Sequence, residues 1–240
     1  MSAASGLKAL NFVGFSREAL KAFPEEVRQD VGYALFEAQR GQKPSAAKPL
    51  RGFGGAGVLE IIERHEGDTY RAVYTVKFHR VVYVLHCFQK KSTHGIKTPQ
   101  QDIELIKQRL RVAEQDHETH YRASEEWIMS TEHKVHRGSG NVFADIGVVH
   151  PERVLARAQI MARIADMIRE RGLTQQRAAT LLGIPQSKVS CLMNGKLSMF
   201  SLDHLFELLN ALDRDVEIII KPKAKLEKFA TTQLLVTTTP

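Results

Sequence analysis

The stretch Leu173–Gly195, LTQQRAATLLGIPQSKVSCLMNG, constrains the fold of this chain more than any other. It reads as two short helices joined by a tight turn. Thr174 can cap the first helix through its hydroxyl, and Ala178, Ala179, Leu181 and Leu182 supply a small apolar face. Gly183 ends that helix by permitting a left-handed backbone, and Pro185 opens the next at a fixed φ. In the second helix Val189 and Leu192 point inward at i, i+3, leaving Gln186, Ser187, Lys188 and Ser190 on its outer, N-terminal part. These side chains suit a DNA groove: glutamine can pair bidentately with adenine, serine with either base, and lysine with guanine or phosphate. Asn194 and Lys196 follow where a DNA backbone would pass. The alternative is a helical hairpin with merely solvated polar residues, against which the spacing and turn chemistry argue.

The same text resembles the helix-turn-helix of phage-repressor-like (Xre-family) regulators. There LTQ opens the first helix, a Gly-Ile turn follows, and QSKVSCLMNG-type text forms the recognition helix. The resemblance implies that Gln175, Gln186 and Ser187 face bases and that Asn194 and Lys196 touch phosphate.

The chain has 240 residues, 43% of them hydrophobic, room for two domains with real cores. Its net charge of +7 favours a polyanionic partner, and both halves share the basic excess. The two cysteines, Cys87 and Cys191, suggest no disulfide framework, so a reducing cytoplasm is the expected location. The start, MSAASGLKAL, lacks a basic segment followed by an apolar run, and no 18 apolar residues occur together; neither export nor a membrane partner is expected.

Read in order, Lys8–Phe15 is a short β-like run, and Ser16 and Pro24 open two helices. In the second, Val27, Val31, Ala34, Leu35 and Ala38 recur at helical spacing. GQKPSAAKPLRGFGGAG reads as a loop. From Val58 to Ser92 the β-branched and aromatic text, broken by Glu66-Gly67-Asp68, predicts a three-stranded meander. Thr98 and Pro99 open a long helix with Ile103, Ile106, Leu110 and Ala113 inward, running towards Trp127. The polar, Gly-Ser-Gly-containing stretch Ser130–Gly140 reads as a flexible connector. Beyond it, Pro151–Arg171 carries Leu155, Ile160, Ile164 and Ile168 as a helix to pack under the DNA-reading pair. Ser201 caps a further helix, and Asp215–Lys221, DVEIIIK, reads as a strand. Its unmet edge groups invite pairing with a second copy, so a homodimer on a palindromic operator is expected.

Within the first half, the element order together with GDTYRAVYTV and FQKKS resembles the phage-derived HigB branch of the RelE-like toxins, over about residues 7–117. The resemblance implies a small antiparallel sheet that binds ribosome-held messenger RNA. It also implies cleavage without a metal or other cofactor, the 2′-hydroxyl attacking the adjacent phosphate. Such chemistry needs proton transfer and cations facing the phosphate. Arg71 matches the family's YR-x-VY text and Lys90 and Lys91 its terminal basic pair, while Arg64 precedes the hairpin turn. His65, His86 and His94 could transfer protons near neutral pH but are weaker candidates; His86 is flanked by Leu85 and Cys87 in a core-like run. Solvation of the lysines, and a structural pair of Arg71 with Glu60 or Glu63, are the plain alternatives. For Tyr70 and Tyr74, base stacking competes evenly with core packing. His117 and His120, lacking a third ligand, read as a solvated helix face rather than a metal site.

NVFADIG before the helices and DVEIII after them resemble HigA-type antitoxins. The chain is therefore expected to be α+β. It would hold a toxin-like domain at 1–128, a linker at 129–140, an all-α helix-turn-helix domain with a C-terminal strand at 141–222, and a flexible tail at 223–240. The expected function is a fused toxin–antitoxin protein, an endoribonuclease restrained by an operator-binding, autorepressing module. A non-enzymatic repressor with an inactive dimerisation or sensing module is the alternative.

Overall fold

The computed structural model describes residues 7–55, 57–90, 100–122, 135–219 and 222. Its N-terminal part is built on six strands: β1 (Ala9–Val13), β2 (Ala47–Pro49), β3 (Val58–His65), β4 (Asp68–Thr75), β5 (Val81–Lys90) and β6 (Val135–Arg137). They lie in the order β2-β3-β4-β5-β1-β6. The expected meander is β3–β4–β5, turned at Glu66 and Gly67, both at positive φ, which glycine adopts without strain. β1 runs parallel to β5; the other pairings are antiparallel.

Two strands come from text that reads as loop. β2 lies in the glycine- and proline-rich segment and pairs with β3. β6 lies in the expected flexible connector and extends the sheet beyond β1, pairing Val135, His136 and Arg137 with Val13, Phe12 and Asn11. Gly138 continues the ladder by donating its N–H to Leu10 O at 2.8 Å, and a Cβ there would stand 2.5 Å from that oxygen. Residues 135–138 are therefore tied to the sheet, while 129–134 lie outside the described residues.

Three helices accompany the sheet: α1 (Ser16–Lys21), α2 (Glu25–Gln39) and α3 (Gln100–His117), which runs on into a π turn at Glu118–Arg122. Side-chain alternation divides the strands between two apolar layers. Val58, Val73, Val81, Tyr83 and Leu85 face α3 through Ile106, Leu110 and Ala113. Leu59, Ile61, Ala72, Tyr74, Val82 and Val84 face α2. Every residue of α2 from Asp30 to Gln39 is buried, because the C-terminal helices cover the side turned away from the sheet.

Those helices are α4 (Val142–Asp145), α5 (Pro151–Glu170), α6 (Gln175–Leu182), α7 (Gln186–Met193) and α8 (Leu202–Ala211), with a 3-10 turn at Leu197–Met199. The start and stop signals act as read: Thr174 Oγ1 accepts from Arg177 N at 3.3 Å, Gly183 takes φ +65°, and Ser201 Oγ accepts from His204 N at 3.2 Å. α4, unforeseen in the sequence, is capped by Asn141 Oδ1 accepting from Phe143 N at 3.1 Å. Phe143, Ile146, Met161, Ile164, Leu192 and Leu205 belong to the same buried cluster as Leu35, Ile61 and Tyr74, so one core runs through both halves. At the closest approach, a Cβ on Gly32 of α2 would lie 2.7 Å from the Phe143 ring. Within the single chain, residues 215–219 of the strand expected over Asp215–Lys221 are exposed and outside any strand. Residues 220, 221 and 223–240 lie outside the described residues.

Candidate functional site

On the α3 side of the sheet, strand register brings together cations that are far apart in sequence. Arg64 on β3 and Lys90 on β5 both stand opposite Thr69 of β4, and Arg71 lies in the next row between Ile62 and Phe88. Strand spacing places Arg64 and Lys90 about 10 Å apart, with Arg71 some 7 Å further along. Arg64 is exposed, and Lys90 and Phe88 are half-buried. Arg71 is only 4% exposed and donates to Glu60 Oε2 at 2.5 Å. The ion pair anticipated as the plain alternative therefore exists, through Glu60. Lys91 and His94 lie outside the described residues.

His65 does not join this face. One residue beyond Arg64 on a strand, it points to the other side, where its Nδ1 lies 3.4 Å from Glu26 Oε2 and its Nε2 4.0 Å from Glu66 Oε2. The structure thus places His65 on the opposite face of the sheet from Arg64, Arg71 and Lys90. His86 is held on both nitrogens. Arg109 can only donate, so its contact to Nδ1 at 3.0 Å makes that atom an acceptor. Nε2 then carries the proton and donates to Asp102 Oδ1 at 3.1 Å. Burial lowers the pKa of this imidazole, whose ring stacks on Phe88, and no ring nitrogen is left to take a substrate proton. His117 is not solvated as expected but stacked between Phe78 and Tyr121, at 4.4 and 5.6 Å. Tyr70 and Tyr74 are both packed inside on the α2 side, Tyr70 edge-on to Phe23 at 4.9 Å.

The second candidate surface lies on α6 and α7. Gln175 begins α6, Gln186 and Ser187 begin α7, and all three are exposed. Two helix N-termini with neutral, hydrogen-bonding side chains are thereby presented on one surface. Lys188 lies over the Phe200 ring at 5.4 Å and reaches Met199 O at 3.4 Å. Ser190 Oγ accepts from Asn194 Nδ2 at 3.2 Å, and Asn194 is itself exposed.

Lys196, expected on a DNA phosphate, is placed elsewhere. Its ammonium donates to Glu63 Oε2 and stands 3.7 Å from Asp30 Oδ2, both on the N-terminal half. Burial raises the pKa of the Asp30 and Glu63 carboxyls, a rise only partly offset by the Ser198 N–H at Asp30 and by Lys196 at both. Asp30 Oδ1 also accepts from Ser198 N at 2.9 Å, and a Cβ on Gly195 would fall 2.7 Å from the Tyr33 ring. The loop after the recognition helix is thus bound to α2 and β3. Arg17, donating to Asp145 O at 2.8 Å, and Arg157, donating to Gln29 Oε1 at 2.5 Å, lengthen the same interface. None of these joining contacts was legible in the sequence, because their partners are more than a hundred residues apart.

The fold and these surfaces define a sheet domain joined to a helix-turn-helix domain. Residues 18–111 match the family of phage-derived, Gp49-like proteins, and residues 142–221 match a helix-turn-helix domain family. A solved structure described as an XRE family transcriptional regulator is 38% identical, over 36% of this chain and 97% of that one, with a TM-score of 0.35. A comparison with curated proteins finds no match. The N-terminal half thus carries a domain similar to phage-derived, Gp49-like proteins, and the C-terminal half carries a helix-turn-helix domain. No described helix is long and apolar enough to cross a membrane.

Proposed function

We propose that the chain is a self-restrained toxin–antitoxin fusion of the HigB–HigA kind. Its sheet domain cleaves messenger RNA on the ribosome, and its helix-turn-helix domain restrains it and represses its own operator. The observation that carries this reading is the joining of a Gp49-like toxin-family domain to an XRE-type domain through one continuous core. Arg64, Arg71 and Lys90, with Lys91 beyond the described strand, supply the cations that a 2′-hydroxyl attack on phosphate requires, without a metal. Gln175, Gln186 and Ser187 read bases, while Lys188, Ser190 and Asn194 border the groove. The exposed Ile218 and Ile219, 71% and 65% accessible, support pairing of two copies across a two-fold operator.

The second domain docks on the α2 side, opposite the cation row, so restraint acts by denying the sheet domain access to the ribosome rather than by capping that row. The burial of Arg71 against Glu60 favours one competing reading, a repressor whose sheet domain is catalytically silent. Inducible expression of residues 1–140, which keep β6, separates the two. Growth arrest with cleaved transcripts, absent from the full-length chain and from an Arg64→Ala/Lys90→Ala version, is the expected result. A folded 1–140 protein that leaves transcripts whole would establish the silent-domain reading instead.

A further inference from the structure

The loop following the recognition helix presents the donor set that a phosphate group would take: the Lys196 ammonium and the Ser198 backbone N–H. In this chain both donors are occupied by carboxylates of the other domain. Lys196 meets Glu63 and stands 3.7 Å from Asp30, and Ser198 N donates to Asp30 at 2.9 Å. Gly195 closes the contact against Tyr33, where no larger residue fits. Beside it lies a cleft of about 240 Å³ lined by Glu26, Asp30, Glu63, Lys196, Ser198 and Met199, so the cluster is reachable from solvent. A DNA phosphate brought to this loop would meet Glu26, Asp30 and Glu63 at short range, and like charges at such distances repel strongly.

We propose that the sheet domain autoinhibits DNA binding by acting as an intramolecular phosphate mimic, its Asp30 and Glu63 carboxylates seating the Lys196–Ser198 loop that would otherwise grip the DNA backbone. The inference rests on the DNA-binding reading and adds to it a competition between one loop and two partners. Gln186 and Ser187 stay exposed, so base contact and backbone contact are separately controlled. By linkage, DNA that captures Lys196 loosens this edge of the interface by the same factor as docking weakens the DNA.

The test uses the full-length chain, a random-sequence duplex of about 20 base pairs, and binding followed by fluorescence anisotropy from 50 to 200 mM salt. Each phosphate neutralised adds about 0.9 to the slope of log affinity against log salt. Asp30→Asn/Glu63→Gln, whose amides keep an acceptor for Ser198, should bind more tightly than wild type and steepen that slope by about one such increment. Adding Lys196→Met to that pair should return the slope to the wild-type value. Circular dichroism melts confirm folding, and Glu63→Gln alone, the milder change, should move affinity in the same direction. An unchanged slope in the carboxamide variants, or a gain that survives Lys196→Met, overturns the inference while leaving DNA binding intact. A chain that binds no duplex in any of these forms overturns the DNA-binding reading and this inference with it.

Discussion

A guanidinium that is 4% exposed in a β-sheet cannot be judged as a phosphate ligand until its own neighbours are counted. Arg71 is paired with Glu60, and removing one member of a buried ion pair strands the other, at a typical cost of about 3–5 kcal/mol. Arg71→Ala should therefore lower the melting temperature of the full-length chain as well as any RNA cleavage. Arg71→Ala/Glu60→Ala should recover part of that stability and none of the cleavage. A calorimetric melt of the three proteins decides this, and a single variant that melts like wild type would show the pair to be structurally idle. Tyr74 offers a contrasting case. Its hydroxyl is buried with no hydrogen-bond partner among the described residues. An unmet buried hydroxyl costs about 1–3 kcal/mol, so Tyr74→Phe should leave the melt unchanged or raise it. A clear drop would reveal a partner for that oxygen. The sequence showed both tyrosines of β4 on one face, but not whether that face met solvent or helix.

At the scale of elements, legibility follows the range of the forces involved. The α6–α7 pair was readable because its determinants are local: the Thr174 cap, the left-handed Gly183, and the inward Val189 and Leu192. The meander was readable from alternation and its Gly67 turn. β2 and β6 were not, because three-residue strands in Lys- and Gly-containing text are fixed by the edges they join, β3 and β1, rather than by propensity. Nor could α2 be read in full. Its Val27, Val31, Ala34 and Ala38 mark one face, whereas it is buried on both, and the second face is signalled by Gly32, Tyr33 and Phe36. Gly32→Ala makes the point measurable. On an open helix it would add up to about 1 kcal/mol, but here the new Cβ overlaps Phe143, and overpacking of this kind costs about 1–3 kcal/mol. The substitution should destabilise the chain in denaturant titration, and Phe143→Leu in the same chain should relieve the effect. Stabilisation by Gly32→Ala alone would mean that α2 and α4 are not in this contact.

For the whole molecule, the buried carboxylates at the junction make stability depend on pH in a definite sense. Burial raises the folded-state pKa of Glu63 above its unfolded value, so the folded chain holds that proton more readily. The associated stability is fully present below the unfolded pKa, near 4.5, and is lost as pH rises through the folded one. The melting temperature of Glu63→Gln relative to wild type should therefore climb as pH rises from about 4.5 through the folded-state pKa. A relative fall over that interval would mean that Lys196 holds the carboxyl below its ordinary range. The shared core has a further consequence, one of timing. α2 leaves the ribosome roughly a hundred residues before Phe143, an interval of about 5–20 seconds at ordinary synthesis rates. The β6 strand that completes the sheet is likewise made only as the second domain begins. A nascent chain therefore carries an unfinished sheet until its helix-turn-helix half starts to emerge, and the order of translation itself delays the completed sheet domain until the helices that cover it are at hand.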